Sequence, residues 1–334
     1  MPTRMSIVRN SLLAMVFPAM ATYCLAQPAK DDVFPQSQLR LIVPAAPGGN
    51  PDVLARLLAQ KLSLSLGKPV VVENQGGAGG TLAAGLVARS ADAHTLGVLD
   101  SGAFTIAPAV AAAQGNKLPY EAARDFSLIT ALAAVPTLLV AHPSVPANSL
   151  TEFVAYGKAN PGKINFGSAG SGGIHHLTML AFVAQAGIEV VHVPYRGGAL
   201  ITAGLLAGDI HAAFNGIPNV LDHIAAGKMK VFAASTLTRL KTHPNVPTVA
   251  ELGYPGFDIA STMGLVARAG VPRPIVERLQ AAAAKAMREP DLVQRIEAIG
   301  MVIKEDGTAN FERSIRDDAT LFNRIVKSSG IKPE

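Results

Sequence analysis

Short apolar runs alternate with segments of helical periodicity along most of the chain. The run Leu39–Val43 reads Leu-Arg-Leu-Ile-Val and ends at a proline, which predicts a buried strand. Residues 51–65 then place four leucines on one helical face, and Gly67 predicts the end of that helix. Strand, loop, helix and strand in this order are typical of a parallel sheet with helical crossovers.

The same succession occurs twice, before and after a break near the middle of the chain. Further strands are predicted at 70–72, 95–99, 138–141, 164–166, 189–193, 210–214 and 231–234. Further helices are predicted up to about residue 89 and at 150–159, 175–186, 199–206, 220–226, 274–287, 290–299 and 309–328. The proline-rich segment 242–256 reads as a crossing segment. These patterns predict two α/β lobes with a cleft between them.

Ligands of open α/β sheets bind beyond the carboxyl ends of the strands, so the loops that follow strands are the candidate sites. The first such loop is Pro47-Gly48-Gly49-Asn50-Pro51-Asp52. We expect Asn50 to cap the helix and Pro51 to take its first position. Free N–H groups at this helix start favour an anion. Asp52 can complement the helix dipole or accept a hydrogen bond from a ligand, and an ordinary capped turn is the alternative interpretation.

A second glycine-rich loop, residues 167–173, follows the predicted strand 164–166 and leads into a helix. Its small residues allow backbone N–H groups to approach a ligand, and Ser168 and Ser171 add hydroxyl donors. Two helix starts facing each other across a cleft suit a solute with anionic ends. A flexible linker is the alternative, but it fits poorly between a strand and a helix.

Motifs for enzymatic chemistry do not occur in these loops. Ser168 and Ser171 both miss the Gly-x-Ser-x-Gly pattern of a nucleophile elbow, and neither a dinucleotide fingerprint nor a phosphate-binding Gly-Lys-Ser/Thr is present. His175 and His176 are adjacent, so a helix points them about 100° apart, whereas zinc needs several converging ligands. We therefore expect no catalytic residue, metal or cofactor.

Composition narrows the possible partners. The 334 residues are 49% hydrophobic and 16% charged, which is ample for packed cores. Aromatic residues make up 5% and Trp is absent, so nucleic-acid binding by stacking is not expected. The formal charge of +5 falls to +3 without Arg4 and Arg9, and the remaining basic residues are scattered.

The N-terminus predicts export. Arg4 and Arg9 precede an apolar stretch, residues 11–20, and a small-x-small sequence ends at Ala26. This order is typical of a secretory signal peptide, residues 1–26, cleaved after about Ala26 to release a periplasmic protein. An uncleaved membrane anchor is the alternative. The mature chain would then lack Cys24, the single cysteine, and so would contain no disulfide.

Several longer motifs resemble one known family, the extracytoplasmic (Bug) receptors of tripartite tricarboxylate transporters. They extend over nearly the whole mature chain, from about residue 34 to residue 332. In order along the chain, they are Pro47-Gly48-Gly49-Asn50-Pro51-Asp52 with Ala55-Arg56, Leu66–Asn74 with Gly76–Gly80, Val193-Pro194-Tyr195-Arg196-Gly197-Gly198, and Pro244–Gly256.

The resemblance implies a type II periplasmic binding-protein fold, with two α/β lobes, a hinge and an interlobe cleft. Lobe 1 would comprise residues 30–135 and 257–334, and lobe 2 residues 136–256. It further implies a monomer that binds a small carboxylate by hinge closure and passes it to membrane permease subunits. Arg196 would be a cationic partner for the solute. The implied ligand contacts are Pro47, Gly48, Gly49, Asp52, Ser168, Gly170, Ser171, His176, Arg196 and Asn215.

The chain departs from the family pattern at several positions. Pro51 stands where Thr is frequent, Gly173-Ile174-His175 where Ser is frequent, Asn215 where an acidic residue is common, and Thr262-Met263 where an aromatic residue is common. These departures leave the identity of the solute open, and an amphipathic solute is an alternative to a plain dicarboxylate. Two other functions also stay open: a solute sensor for a signalling system, and an enzyme acting on carboxylates.

Overall fold

A computed structural model describes Met1, residues 34–304 and residues 307–329. The chain divides into two units, Met1–Phe34 and Pro35–Glu334, and every element below belongs to the second. The predicted signal segment and its cleavage point after about Ala26 lie outside the described residues, apart from Met1.

Ten strands form one sheet within the described residues, in the order β2-β1-β3-β9-β4-β7-β5-β6, while β8 and β10 pair with β4 beside this path. The strands are β1 Leu39–Val43, β2 Val70–Asn74, β3 Thr95–Asp100, β4 Phe126–Ala141, β5 Ile164–Ser168, β6 Val190–Pro194, β7 Ala212–Gly216, β8 Lys230–Ala234, β9 Ala260–Arg268 and β10 Val302–Ile303.

Helices connect most of these strands. They are α1 Asn50–Leu66, α2 Thr81–Ala88, α3 Ala107–Gln114, α4 Leu150–Ala159, α5 Ile174–Ala186, α6 Gly198–Ala207, α7 Ile217–Ala225, α8 Arg273–Met287, α9 Pro290–Ala298 and α10 Thr308–Ser329. A 3-10 turn, Ala78–Gly80, precedes α2, and a π-helical segment, Gly102–Ile106, precedes α3. In the part of the chain described here, no helix is long and apolar enough to cross a bilayer.

Most predicted elements are present, but two predictions need correction, and α3, β9 and β10 were not predicted. Gly67 ends α1 in a left-handed conformation, as predicted. Asn50 is not the N-cap: Gly49 takes that place without a side-chain hydrogen bond, and Asn50 is the first helical residue. The predicted strand 138–141 is only the end of β4, and β9 was not predicted. Both strands are rich in Ala and Thr and buried on both faces, so they lack the period of two that marks a half-buried strand.

Strand directions place the candidate loops opposite each other. β3 and β4 both run antiparallel to β9, so they point the same way, toward the second half of the sheet. β7 runs antiparallel to β4, and β5 runs parallel to β7, so these two strands point back. The loops after β1, β2 and β3 therefore face the loops after β5 and β7, with β4 and β9 between them.

Two apolar cores lie on either side of this junction. One includes Phe104 and Tyr120, and the other includes Phe166 and Phe214. The long helix α10 reaches both, because Phe311 packs in the first core and Phe322 in the second. α10 thus joins the two halves from the side, and the lobe boundaries proposed from sequence stay a prediction.

Candidate ligand-binding cleft

A cleft of about 970 Å³ opens where the two sets of loops face each other. One wall is formed by the glycine-rich loop 77–80, by the residues that follow β3 and by one side of α3. The opposite wall is formed by residues 169–175, which connect β5 to α5. The glycine-rich loop 167–173 was predicted to face such a cleft, and Gly170 and Ser171 line it.

Hydrogen bonds of buried side chains fix the conformation of the loop after β5. Ser168 is fully buried; its hydroxyl donates to the Gly170 carbonyl oxygen (3.0 Å) and accepts from the Gly170 N–H (3.2 Å). The same oxygen lies 2.6 Å from Nε2 of His192, on the neighbouring strand β6. Because the hydroxyl has only one proton and Gly170 accepts it, Nε2 of His192 is the donor in this pair.

A second imidazole completes this support. Nδ1 of the buried His176 accepts the Gly172 N–H at 3.0 Å, and its ring stacks on that of His192 with centroids 3.8 Å apart. Gly170 and Gly172 have φ of 118° and 72°, a region that strongly favours glycine. Ser168 and His176 therefore shape the loop, while the N–H groups that begin α5, at Ile174 and His175, reach the cleft wall.

Asp52 fixes the loop after β1 through hydrogen bonds and an ion pair. This carboxylate is 2% exposed and accepts from the Gly48 N–H (2.9 Å), the Asn74 side-chain amide (2.8 Å) and Arg56 (2.9 Å). Burial alone would raise the pKa of Asp52, but hydrogen bonds from Arg56, Gly48 and Asn74 lower it below its ordinary value. Pro47, Gly48 and Gly49 are not among the residues that line the cleft, which include Pro44, so their contact with a ligand stays a prediction.

The 3-10 turn before α2 forms the adjoining part of the wall. Four consecutive residues have left-handed backbone angles: Gly77 (φ 113°), Ala78 (47°), Gly79 (61°) and Gly80 (89°). For Ala78 this conformation costs on the order of 1 kcal/mol, and such strain concentrates at functional sites. The sequence shows the glycines of this loop, but their part in the cleft depends on the tertiary structure.

Arg196 and Asn215 lie at the same edge of the sheet but outside the cleft wall. Arg196 is exposed and forms no side-chain hydrogen bond or ion pair with the described residues. Asn215 is fully buried, and its amide donates to the Gly198 carbonyl oxygen (3.1 Å) and to Thr202 Oγ1 (3.0 Å). Asn215 therefore ties β7 to the start of α6, and a ligand contact by either residue stays a prediction.

Three ionisable residues of the wall were missed from the sequence. Asp100 ends β3, Lys117 is an exposed cation beyond α3, and His175 begins α5. Burial raises the pKa of Asp100, only partly offset by the N–H groups of Ala103 and Gly102. Burial lowers the pKa of His175 to about 4, although part of its surface is open, so its ring is neutral at pH 7. Asp100 directly follows the predicted strand 95–99, and this position was the signal available.

The chemistry of the wall suits binding. Backbone donors, one carboxyl group and one cation surround apolar residues such as Ile106 and Val110. The Ser168–His192 pair supports the loop rather than forming an accessible nucleophile, since Ser168 is fully buried and donates to Gly170. The described residues contain no group of three or more side chains placed to hold a metal ion.

Known proteins resemble this chain over most of its length. The family described as "Tripartite tricarboxylate transporter family receptor" matches residues 54–331. Protein BugT of Bordetella pertussis is 33% identical over 325 residues, covering 96% of this chain and 98% of that protein.

Two solved structures share the fold. MatC of Rhodopseudomonas palustris, solved with bound malate, has a TM-score of 0.75 and 31% identity, covering 88% of this chain and 100% of its own. Rpa4515 of R. palustris, solved with adipate, has a TM-score of 0.78 and 28% identity, covering 90% and 100%. The α/β fold and the family predicted from sequence are both confirmed. The chain therefore belongs to the tripartite tricarboxylate transporter family of receptors and is a solute-binding receptor with a periplasmic binding-protein fold.

Proposed function

We propose that this receptor captures a small carboxylate in the cleft and delivers it to the membrane subunits of a tripartite transporter. The observation that carries the proposal is the cleft itself, in which two glycine-rich loops face each other from the carboxyl ends of two sets of strands. Malate and adipate in the structures of two relatives support the same class of solute.

The cleft wall can bind a carboxylate although it contains few basic residues. The N–H groups at the start of α5 carry the positive end of the helix dipole. Lys117 is the single Lys or Arg among the described lining residues, and its exposed ammonium can attract an anion to the rim. Backbone donors of this kind bind a carboxylate with little reorganisation cost, because they are already fixed by the loop.

Closure would occur about the two strands that pass between the halves, β4 and β9. Ligand contacts made only in the closed state would stabilise that state. Receptors of this family are periplasmic binding proteins, and the N-terminal segment with Arg4 and Arg9 supports export of this one. We infer binding without turnover, which recovery of the solute unchanged from the complex would test.

The test is a thermal-shift and calorimetric screen of the mature chain against mono-, di- and tricarboxylates. A ligand at 100 times its Kd stabilises the folded state by about 2.7 kcal/mol, a readily measured rise in Tm. If no carboxylate of any length shifts Tm, the proposed ligand class is wrong.

A matched pair of variants locates the site. Gly172→Ala and Gly162→Ala both place Ala at similar left-handed angles, φ 72° and 69°, so each costs about 1–2 kcal/mol of stability. Only the Ala at position 172 projects into the cleft, with its Cβ 3.2 Å from Val110 on the opposite wall, whereas nothing lies within 4 Å of a Cβ at 162. We expect loss of binding in Gly172→Ala alone; equal binding by both would place the solute elsewhere.

Transport is separated from sensing in cells. Deleting the receptor should abolish uptake of the solute identified by the screen. Unchanged uptake together with a lost transcriptional response would favour the sensor.

A further inference from the structure

A second large cavity lies on the far side of α3 from the cleft. It has a volume of about 1090 Å³, and we call it the rear groove. It is surrounded by α3 with the π-helical segment before it, residues 116–128, the start of α8 and one face of α10. On α10 the lining positions are 312, 315, 316 and 319, which is the spacing of a single helical face. The rear groove is thus comparable in size with the cleft and is built from several separate segments.

α3 separates the rear groove from the cleft. Val110 and Gln114 line the cleft. Pro108 and Ala112 line the groove, so the two cavities lie on different faces of one helix. Gln114 is the last residue of α3, and all the others are apolar. The outer face of a helix ordinarily carries polar or charged side chains, but the groove face of α3 presents only hydrocarbon, although Ala112 is exposed.

Aromatic rings form the floor of the rear groove. The rings of Phe104 and Phe126 meet edge to face with centroids 5.3 Å apart, and Tyr120 meets Phe126 in the same way at 5.6 Å. Phe104 and Tyr120 are buried, whereas Phe126 is only half-buried. Around this core, the partly buried apolar residues of the described chain are Ala88 and five that line the groove: Leu118, Ala122, Phe126, Leu128 and Ile315. The incompletely covered side of the core is therefore concentrated in the groove.

The charged residues of the rear groove lie at its rim and are exposed. Glu121 and Arg273 each pair with a residue outside the groove, at 3.1 and 2.7 Å respectively. Within the described part of the chain, Arg316 has only a long contact of 3.9 Å, with Glu312 one turn earlier on α10. A long, exposed ion pair contributes little, and the guanidinium group retains donors for another carboxylate. Arg316 is therefore the rim residue most open to an anion.

This distribution of charge favours one kind of ligand. A small dicarboxylate has no apolar body to cover the floor, and it would bring a second charge onto hydrocarbon. A molecule with an apolar body and one carboxylate can bury the body on the aromatic rings while its head group stays at the rim. The Tyr120 hydroxyl donates to the Ala103 carbonyl oxygen at 2.6 Å, so the floor does not require a polar group from the ligand.

We propose that the rear groove is a second binding site, which takes an amphipathic monocarboxylate. The apolar body of the ligand lies on Phe126 and Leu128, and its carboxylate pairs with Arg316. This site is separate from the cleft, so it does not rest on the proposed function.

The experiment measures binding of octanoate to the mature chain by calorimetry at pH 7.5, with butyrate and octanamide as the comparison ligands. Butyrate keeps the carboxylate and shortens the body, whereas octanamide keeps the body and removes the charge. We expect octanoate to bind at least about tenfold more tightly than butyrate, because the additional methylene groups are buried on the floor. We expect it to bind several-fold more tightly than octanamide, because only the carboxylate can pair with Arg316.

Two matched pairs of variants locate the ligand. Ala112→Glu puts a charge into the groove, whereas Ala113→Glu makes the same change at an exposed position that lines neither cavity. Arg316→Gln removes the proposed partner, and Arg313→Gln is its control on another face of α10. We expect octanoate affinity to fall at least about tenfold in Ala112→Glu and about three- to tenfold in Arg316→Gln, with both controls unchanged.

Gly172→Ala separates the two cavities, because it alters the cleft wall and not the rear groove. We expect this variant to bind octanoate as the wild type does. Loss of octanoate binding in Gly172→Ala would place the acid in the cleft and overturn the proposal. Binding no tighter than that of butyrate, or equal effects of the two Glu variants, would overturn it as well. A wild-type dimer in sedimentation that Ala112→Glu dissociates, without octanoate binding, would assign the groove to a second copy of the chain instead.

Discussion

Asp318 connects the stability of the receptor to pH at the point where α10 meets the cleft-bearing segment. Its carboxyl group accepts a hydrogen bond from Ser101 Oγ at 2.8 Å, and Ser101 Oγ in turn accepts from the Thr262 N–H on β9 at 2.9 Å. Burial raises the pKa of Asp318 from 3.8 to about 6, more than Ser101 and Lys304 lower it. The perturbation that tests this is Asp318→Asn, which keeps the acceptor and removes the titration.

The expected magnitude follows from linkage. A difference of about two pKa units between the folded and unfolded states corresponds to about 3 kcal/mol, and partial exposure reduces the expectation to about 1–3 kcal/mol. Below about pH 3 the acid is protonated in both states and costs nothing. As pH rises to about 6, the unfolded chain ionises while the folded chain retains its proton, so the wild type loses stability relative to Asp318→Asn.

The assay is urea unfolding of both proteins between pH 4 and pH 7.5, with Asp222→Asn as the control for loss of an exposed carboxylate. We expect the Asn variant to match the wild type near pH 4 and to exceed it by about 1–3 kcal/mol at pH 7.5. A difference that does not change with pH would show that folding leaves the pKa of Asp318 unchanged, and a less stable variant at pH 7.5 would show that Asp318 is ionised and stabilising in the folded protein.

Two further predictions concern packing and the support of the loop. Gly264→Ala makes the new Cβ clash with the ring of Phe311, so urea unfolding should show a loss of about 1–3 kcal/mol. Phe311→Leu should be less harmful in that background than alone, and strictly additive losses would contradict this contact. His192→Ala removes the donor to Ser168 and should cost about 1 kcal/mol and weaken ligand binding several-fold by calorimetry. The control is His142→Ala, which breaks a similar 2.7 Å contact with Ser144 away from the cleft and should leave binding unchanged; equal binding by the two variants would refute the role of His192.

The fold was predictable where buried residues form a recognisable pattern along the sequence. Leu39–Val43 is an unbroken apolar run ended by Pro44, and Gly67 stops α1 because a left-handed residue must follow the last turn. β9 was not predicted because it is buried without the run of large apolar residues that marks a strand such as β1. Gly264 leaves room for the ring of Phe311, so the strand needs small residues where a pattern search expects large ones.

The candidate site was likewise only partly predictable from the sequence. Loops rich in glycine are visible in sequence, and the loop 167–173 does form a wall of the cleft. The roles of individual residues in the site cannot be recognised from the sequence. Asp52 as a ligand contact stays a prediction. What the sequence could not show is that Gly48, Arg56 and Asn74 donate to its carboxylate, because Asn74 becomes its neighbour only through the pairing of β1 with β2.

Asp100 shows the opposite case. The sequence does not show that Asp100 lies in the cleft wall, because Gly79, a distant residue in a left-handed turn, comes close to it only in the folded chain. The position of Asp100 beside these backbone atoms therefore follows from the fold and not from any local pattern in the sequence.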